Sequence, residues 1–103
     1  MAYTVEFLET AVEELADLPP DMQRQILRRI EGLTANPRPA GVKRLKASEP
    51  FLRLRVGDHR IIYLVEGRRL VILVAKIGDR KDVYARLEVL TRRAKAWRQA
   101  RGK

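Results

Sequence analysis

The 103 residues suffice for one domain with one compact core, and a composition of 46% hydrophobic and 34% charged residues is that of a globular chain. The absence of cysteine excludes disulfides, Cys-based zinc sites and thiol nucleophiles, and it fits a reducing compartment. The net charge of +9, with a pI near 10.6, points to a polyanionic partner. Nucleic acid ranks ahead of an anionic membrane, because no strongly amphipathic anchor is visible.

The charge is unevenly spread: residues 1–36 carry −4, residues 37–75 carry +6 and residues 76–103 carry +7. The longest uninterrupted apolar run, residues 70–75, is far short of the roughly 20 residues of a membrane span. The first ten residues lack a basic start and an apolar signal core, so a cytoplasmic location is expected.

Residues 3–7 alternate and predict a first strand. Thr10 with Glu13 forms a capping-box pattern for a helix ending near Leu18, where Pro19-Pro20 forbid continuation. Asp21 is a suitable cap for a second helix, in which Met22, Ile26, Ile30 and Leu33 recur at helical spacing. The basic connection 42–47 has no clear period and reads as a loop with Leu45 tucked inward.

Strand-like runs follow at 51–56, 59–66 and 69–77, separated by Gly57-Asp58 and Gly67-Arg68, spacings short enough for tight antiparallel hairpins. From Asp82 onward Val83, Leu87, Leu90, Ala94 and Trp97 mark a basic amphipathic helix. The predicted fold is α+β, in the order β-α-α-β-β-β-α, with the helices gathered on one face of a small antiparallel sheet. The single domain spans residues 1–103.

One histidine leaves no transition-metal cluster, the glycines form neither G-x-G-x-x-G nor a P-loop, and the sole serine, Ser48, has no motif around it. Glu9, Glu13, Glu14 and Asp17 read as a solvated helix face rather than a Mg²⁺ site. What remains is arginine. Alternation puts Arg53 and Arg55 on one face of their strand, with Leu52 and Leu54 turned toward the helices.

Arg60 lies across the Gly57-Asp58 turn, and Arg80 follows the last strand. Singly, each pairs as readily with Glu49, Asp58, Asp79 or Asp82. Collectively, like charges on adjacent strands cost energy unless an anion neutralises them, which suggests a phosphate-bearing ligand. Tyr63 reads as a core-edge tyrosine with a wet hydroxyl, and Trp97 as a packing anchor.

The ordered set Tyr3-Thr4-Val5-Glu6-Phe7, Leu18-Pro19, Asn36-Pro37, Lys43-Arg44-Leu45, residues 52–63 (LRLRVGDHRIIY) and residues 77–84 (IGDRKDVY) resembles the RelE toxin family of the RelE/ParE superfamily. The match covers about residues 2–86 and leaves 87–103 as a basic helical extension. The resemblance implies a toxin that enters the ribosomal A site and cuts mRNA without a metal or other cofactor. In that reaction the 2′-hydroxyl attacks the adjacent phosphate while basic side chains stabilise charge.

It further implies a cognate antitoxin, with an amphipathic helix and an acidic or extended segment, and operator DNA as a target of the toxin–antitoxin complex. By position, Arg53 stands where relatives have a catalytic lysine, Arg60 matches the phosphate-holding arginine, Arg80 the suggested acid, and Tyr84 a tyrosine that contacts the RNA. Arg55, Lys43, Arg44, Lys46 and Lys81 are the remaining candidates for RNA or phosphate binding.

Two departures stand out: Arg53 stays protonated and cannot act as a base, and Phe51 replaces another lysine. His59, Lys43 and Lys46 are the candidates for that role, although alternation turns His59 away if Arg60 faces the ligand. The alternatives are a ParE-like inhibitor of DNA gyrase and a catalytically weak RNA-binding member.

Overall fold

The computed structural model describes residues 2–45, 50–79 and 87–101. In chain order the elements are β1 (Thr4–Phe7), α1 (Glu9–Ala16), α2 (Pro20–Leu33), β2 (Lys43–Arg44), β3 (Leu52–Val56), β4 (His59–Glu66), β5 (Val71–Asp79) and α3 (Leu87–Arg101). The α+β class and the order of the major elements match expectation. The five strands form one sheet in the order β1-β5-β4-β3-β2. Among the described residues, no helix is long and apolar enough to cross a membrane.

Three features of the sheet and its layers differ from the sequence reading. The sheet is mixed, because β1 runs parallel to β5, with Thr4 opposite Val71 and Phe7 opposite Val74. Within the presumed loop, Lys43 and Arg44 pair with Arg53 and Leu52 as a short edge strand, while Leu45 is half-buried as expected. The helices also occupy both faces. Ile26, Ile30 and Leu33 of α2 pack with Leu54, Ile61, Tyr63, Ile72 and Val74, whereas Leu90 and Ala94 of α3 pack with Phe51, Ile62, Leu64, Leu73 and Ala75. Adjacent strand residues point to opposite faces, so these clusters are two cores on either side of the sheet.

The helix starts follow backbone constraints more than side-chain caps. The first helix opens at Glu9 after Leu8, without a side-chain cap, and the Thr10 hydroxyl donates instead to the Ala75 carbonyl at 3.4 Å. Pro20 itself is the first residue of α2, where a missing N–H costs nothing and the fixed φ suits the helix. Asp21 falls inside the first turn, bonded to Arg24, rather than at the cap. The Gln23 amide closes the Pro-Pro corner by donating to the carbonyls of Leu18 (2.8 Å) and Ala16 (3.2 Å).

Beyond Phe7, β1 no longer covers the edge of β5, and α1 takes over. Glu14 accepts the Ile77 backbone N–H at 3.1 Å and the Lys76 ammonium at 2.7 Å. A sheet edge that would otherwise present unpaired donors is thereby closed.

Tyr63 departs from expectation in its surroundings. It is fully buried, and its hydroxyl donates to the Pro37 carbonyl at 2.6 Å, tying the end of the α2 loop to the central strand. Burial pushes the phenol up to about 12, against the opposing pull of Arg38. Replacing Tyr63 with Phe is expected to cost about 1 kcal/mol at neutral pH, the net worth of one hydrogen bond.

The phenol remains protonated in the folded chain above pH 10.0, where the unfolded chain releases its proton. Its contribution is therefore whole below pH 10.0 and is lost as the pH rises toward about 12, at up to about 1.4 kcal/mol per pH unit. Urea unfolding of the wild type and Tyr63→Phe across that window checks this: the difference in stability should shrink as the pH rises and then change sign.

Candidate phosphate-binding site on the sheet face

The strand β3 carries Leu52, Leu54 and Val56 into the helix-hairpin core, so Arg53 and Arg55 stand on the other face. Two cross-strand rows result. In one, Lys43, Arg53, Ile62 and Lys76 lie opposite one another across β2, β3, β4 and β5. In the next, nearer the Gly57-Asp58 turn, Arg55, Arg60 and Gly78 are aligned. Opposed residues sit about 5 Å apart at Cβ, so the side chains of Lys43 and Arg53, and of Arg55 and Arg60, are immediate neighbours.

The turn organises the second row. Gly57 takes a positive φ of 60°, which an L side chain rarely adopts, and its carbonyl accepts from both arginines. Arg55 Nε donates to it at 3.3 Å and Arg60 Nη1 at 3.4 Å, the latter also reaching the His59 carbonyl at 3.1 Å. Two guanidiniums thus converge on one carbonyl. Arg60 is only 8% exposed and is the one buried charged residue among those described, whereas Arg55 is exposed.

Other predicted residues are placed elsewhere. Arg44 is opposite Leu52, and His59 is opposite Val56 and Asp79, so both belong to the helix-hairpin face and not to the arginine face. His59 Nδ1 is buried and makes no hydrogen bond among the described residues. Lys46, Arg80, Lys81 and Tyr84 lie outside the described residues.

Phe51, expected from the resemblance to replace a lysine, is fully buried in the core beneath α3. Lys76 joins the first row without having been singled out. Its place depends on a β-bulge at Ile62/Tyr63, a feature without a local sequence signal here.

Chemically, the face offers permanently protonated guanidiniums and the exposed Lys43 ammonium, suited to holding a phosphate and to stabilising charge that develops on it. Among the described residues no group of three or more His, Cys, Asp or Glu is arranged to hold a metal ion.

Because Arg60 braces the turn, Arg60→Ala is expected to lower stability by about 1–2 kcal/mol. Arg55→Ala, at an exposed site beside a like charge, should change it by less than about 0.5 kcal/mol. Urea midpoints separate the two. Added inorganic sulfate should raise the melting temperature of the wild type more than that of Arg55→Ala, since an anion bound only by the folded state stabilises it by mass action.

The comparisons with known proteins agree with this architecture. The family described as the ParE toxin of the type II toxin-antitoxin system, parDE, matches residues 5–84. A putative toxin RelE1 of Methanocaldococcus jannaschii is 34% identical over 87 residues, covering 82% of this chain and 97% of that protein. The mRNA interferase toxin RelE of Escherichia coli is 26% identical over 88 residues, covering 82% and 93%.

Among solved structures, the archaeal RelE–RelB complex of Pyrococcus horikoshii superposes with a TM-score of 0.70 at 30% identity, over 79% of this chain and 98% of that one. The family match spans the helical hairpin and all of the sheet but Thr4, and the named relatives fall on the RelE side of it. The chain therefore belongs to the RelE family of type II toxin–antitoxin toxins.

Proposed function

We propose that this toxin is a metal-independent, ribosome-dependent mRNA endonuclease that cuts in the A site, inhibits translation in the cytoplasm and is silenced by a cognate antitoxin. The observation that carries the reading is the pair of adjacent cationic rows, Lys43–Arg53 and Arg55–Arg60, on one sheet face. A relative of the same fold is named as an mRNA interferase, and another was solved with its RelB partner.

In the proposed reaction the 2′-hydroxyl attacks the adjacent phosphorus, the bond to the 5′-oxygen breaks and the leaving oxygen takes up a proton. The extra negative charge of the crowded phosphorus centre is what fixed cations stabilise most, because they need not reorganise as it forms. Arg60, held by the turn, grips the phosphate; Arg53 and Arg55 flank it, and Lys43 completes the row. Arg80 is assigned to stabilise the charge on the leaving oxygen, which takes its proton from water, and Tyr84 to contact the RNA.

His59 faces the opposite side and Arg53 never loses its proton, so Lys43, opposite Arg53, is the better placed of the candidate bases. Lys46 and Lys81 remain candidates for RNA binding. The antitoxin is expected to use the apolar surface of the helical hairpin, where Val12 and Leu27 are exposed, and to bring acidic residues to the cationic face. The resulting complex is the species proposed to bind operator DNA.

The description of the matching family favours a second reading, a ParE-like inhibitor of DNA gyrase that acts by binding. A purified translation system decides between them. The wild type should cut mRNA at codon-phased positions, and Arg80→Ala and Arg53→Ala should each lower the rate at least about a hundredfold without a change in fold. Gyrase poisoning with no cleavage would overturn the nuclease reading in favour of the second.

A further inference from the structure

The outer surface of α3 is basic beyond anything its packing requires. Among the described residues its buried stripe consists of Leu90 and Ala94, with Trp97 half-buried beside them. The helix carries Arg92, Arg93, Lys95, Arg98 and Arg101 against one acid, Glu88. Arg98 Nε lies 3.3 Å from Glu66 Oε2 at the end of β4, which places the second half of α3 beside the turn bearing Arg68 and Arg69.

Arg68, Arg69, Arg92, Arg93 and Lys95 are all exposed, and none makes an ion pair among the described residues. Arg92, Lys95 and Arg98 recur every third residue, so the like charges follow one flank of the helix toward that turn. This ridge is distinct from the candidate site. Arg60 and Glu66 stand near opposite ends of β4, six residues and thus roughly 20 Å apart.

We infer that α3 and the Arg68-Arg69 turn form a second nucleic-acid surface, which grips the phosphate backbone of helical ribosomal RNA while the Arg53–Arg60 face addresses the strand to be cut. The inference deepens the proposed function, resting on the ribosome as the target. Backbone contact is favoured over base contact because the ridge offers no aromatic platform. Trp97 is turned inward, its indole N–H donating to Glu6 Oε1 at 3.0 Å, and single-stranded RNA is usually held by bases stacked on exposed rings. Cations spread along a helix of 15 residues, about 22 Å long, suit a run of phosphates on a duplex.

The test is binding of the full chain to empty small ribosomal subunits, without mRNA, across a salt series. Arg68→Gln/Arg69→Gln/Lys95→Gln is compared with a control of equal charge on α2, Arg24→Gln/Arg28→Gln/Arg29→Gln. The ridge variant should bind at least about tenfold more weakly, with the slope of log K against log salt lowered by about two to three, while the control stays close to wild type. Thermal melting of both variants shows that they fold, and Lys95→Gln alone, with a slope lowered by about one, serves if the triple variant does not.

Equal losses in ridge variant and control would overturn the inference by reducing it to net charge. So would unchanged subunit binding accompanied by weakened binding to a duplex DNA, which would assign the ridge to DNA. Because no cleavage is measured, failure of the nuclease reading in the translation assay leaves this result standing or falling on its own.

Discussion

The structure depends on the burial of β4 on both faces. Ile61, Ile62, Tyr63 and Leu64 are each fully buried, yet alternation sends them to opposite sides of the sheet. A strand of this kind is stable only when both faces are covered, and burying each such side chain contributes roughly 1.5–3 kcal/mol. The α1–α2 hairpin covers one face and α3 the other. What remains open on the α3 side is the edge beyond that helix, toward β2, β3 and the Gly57 turn, and there the sheet displays Lys43, Arg53 and Arg55. The position of the cationic rows is therefore a consequence of where the second apolar layer stops.

The same constraint explains how the acids are used. Glu14 closes the uncovered edge of β5 through Ile77 and Lys76, Glu6 receives the Trp97 indole, and Glu66 lies against Arg98. These carboxylates tie α1 and α3 to the sheet, each in a partly buried setting where a charge-assisted contact is stronger than on the surface. Lys43 and Arg55, by contrast, lie exposed, which raises the positive potential of that surface.

Much of this was legible because strand alternation and tight turns are local. The two-residue turn at Gly57-Asp58 set the pairing of Arg55 with Arg60, and alternation placed Arg53 beside them and His59 behind. The parallel pairing of β1 with β5 joins residues nearly seventy positions apart and leaves no local trace. A strand of two residues at Lys43 is held by its partner β3, not by its own propensity. The two-sided layering was written in the unbroken apolar run 61–65, which is the pattern of a strand buried on both faces rather than the alternation of a half-exposed one. Thr10 and Asp21 misled as caps because the backbone at Leu8 and the prolines set the helix starts first.

Phe51 connects the packing to the chemistry. By the resemblance it is expected where relatives carry a lysine, and it is fully buried in the same core cluster as Leu90 and Ala94 of α3. A lysine there would have to bury an ammonium against apolar groups or push α3 away, and an unpaired buried charge costs far more than a surface cation gains. The aromatic residue and the bound helix therefore imply one another. With that lysine absent and Arg53 permanently charged, the reaction proposed for this face relies on fixed positive charge and on positioning, supported by a turn that holds Arg60 in place through two backbone carbonyls. Proton removal then falls to a group outside the Arg53–Arg55–Arg60 triad, and Lys43, exposed on the edge strand, lies directly opposite Arg53.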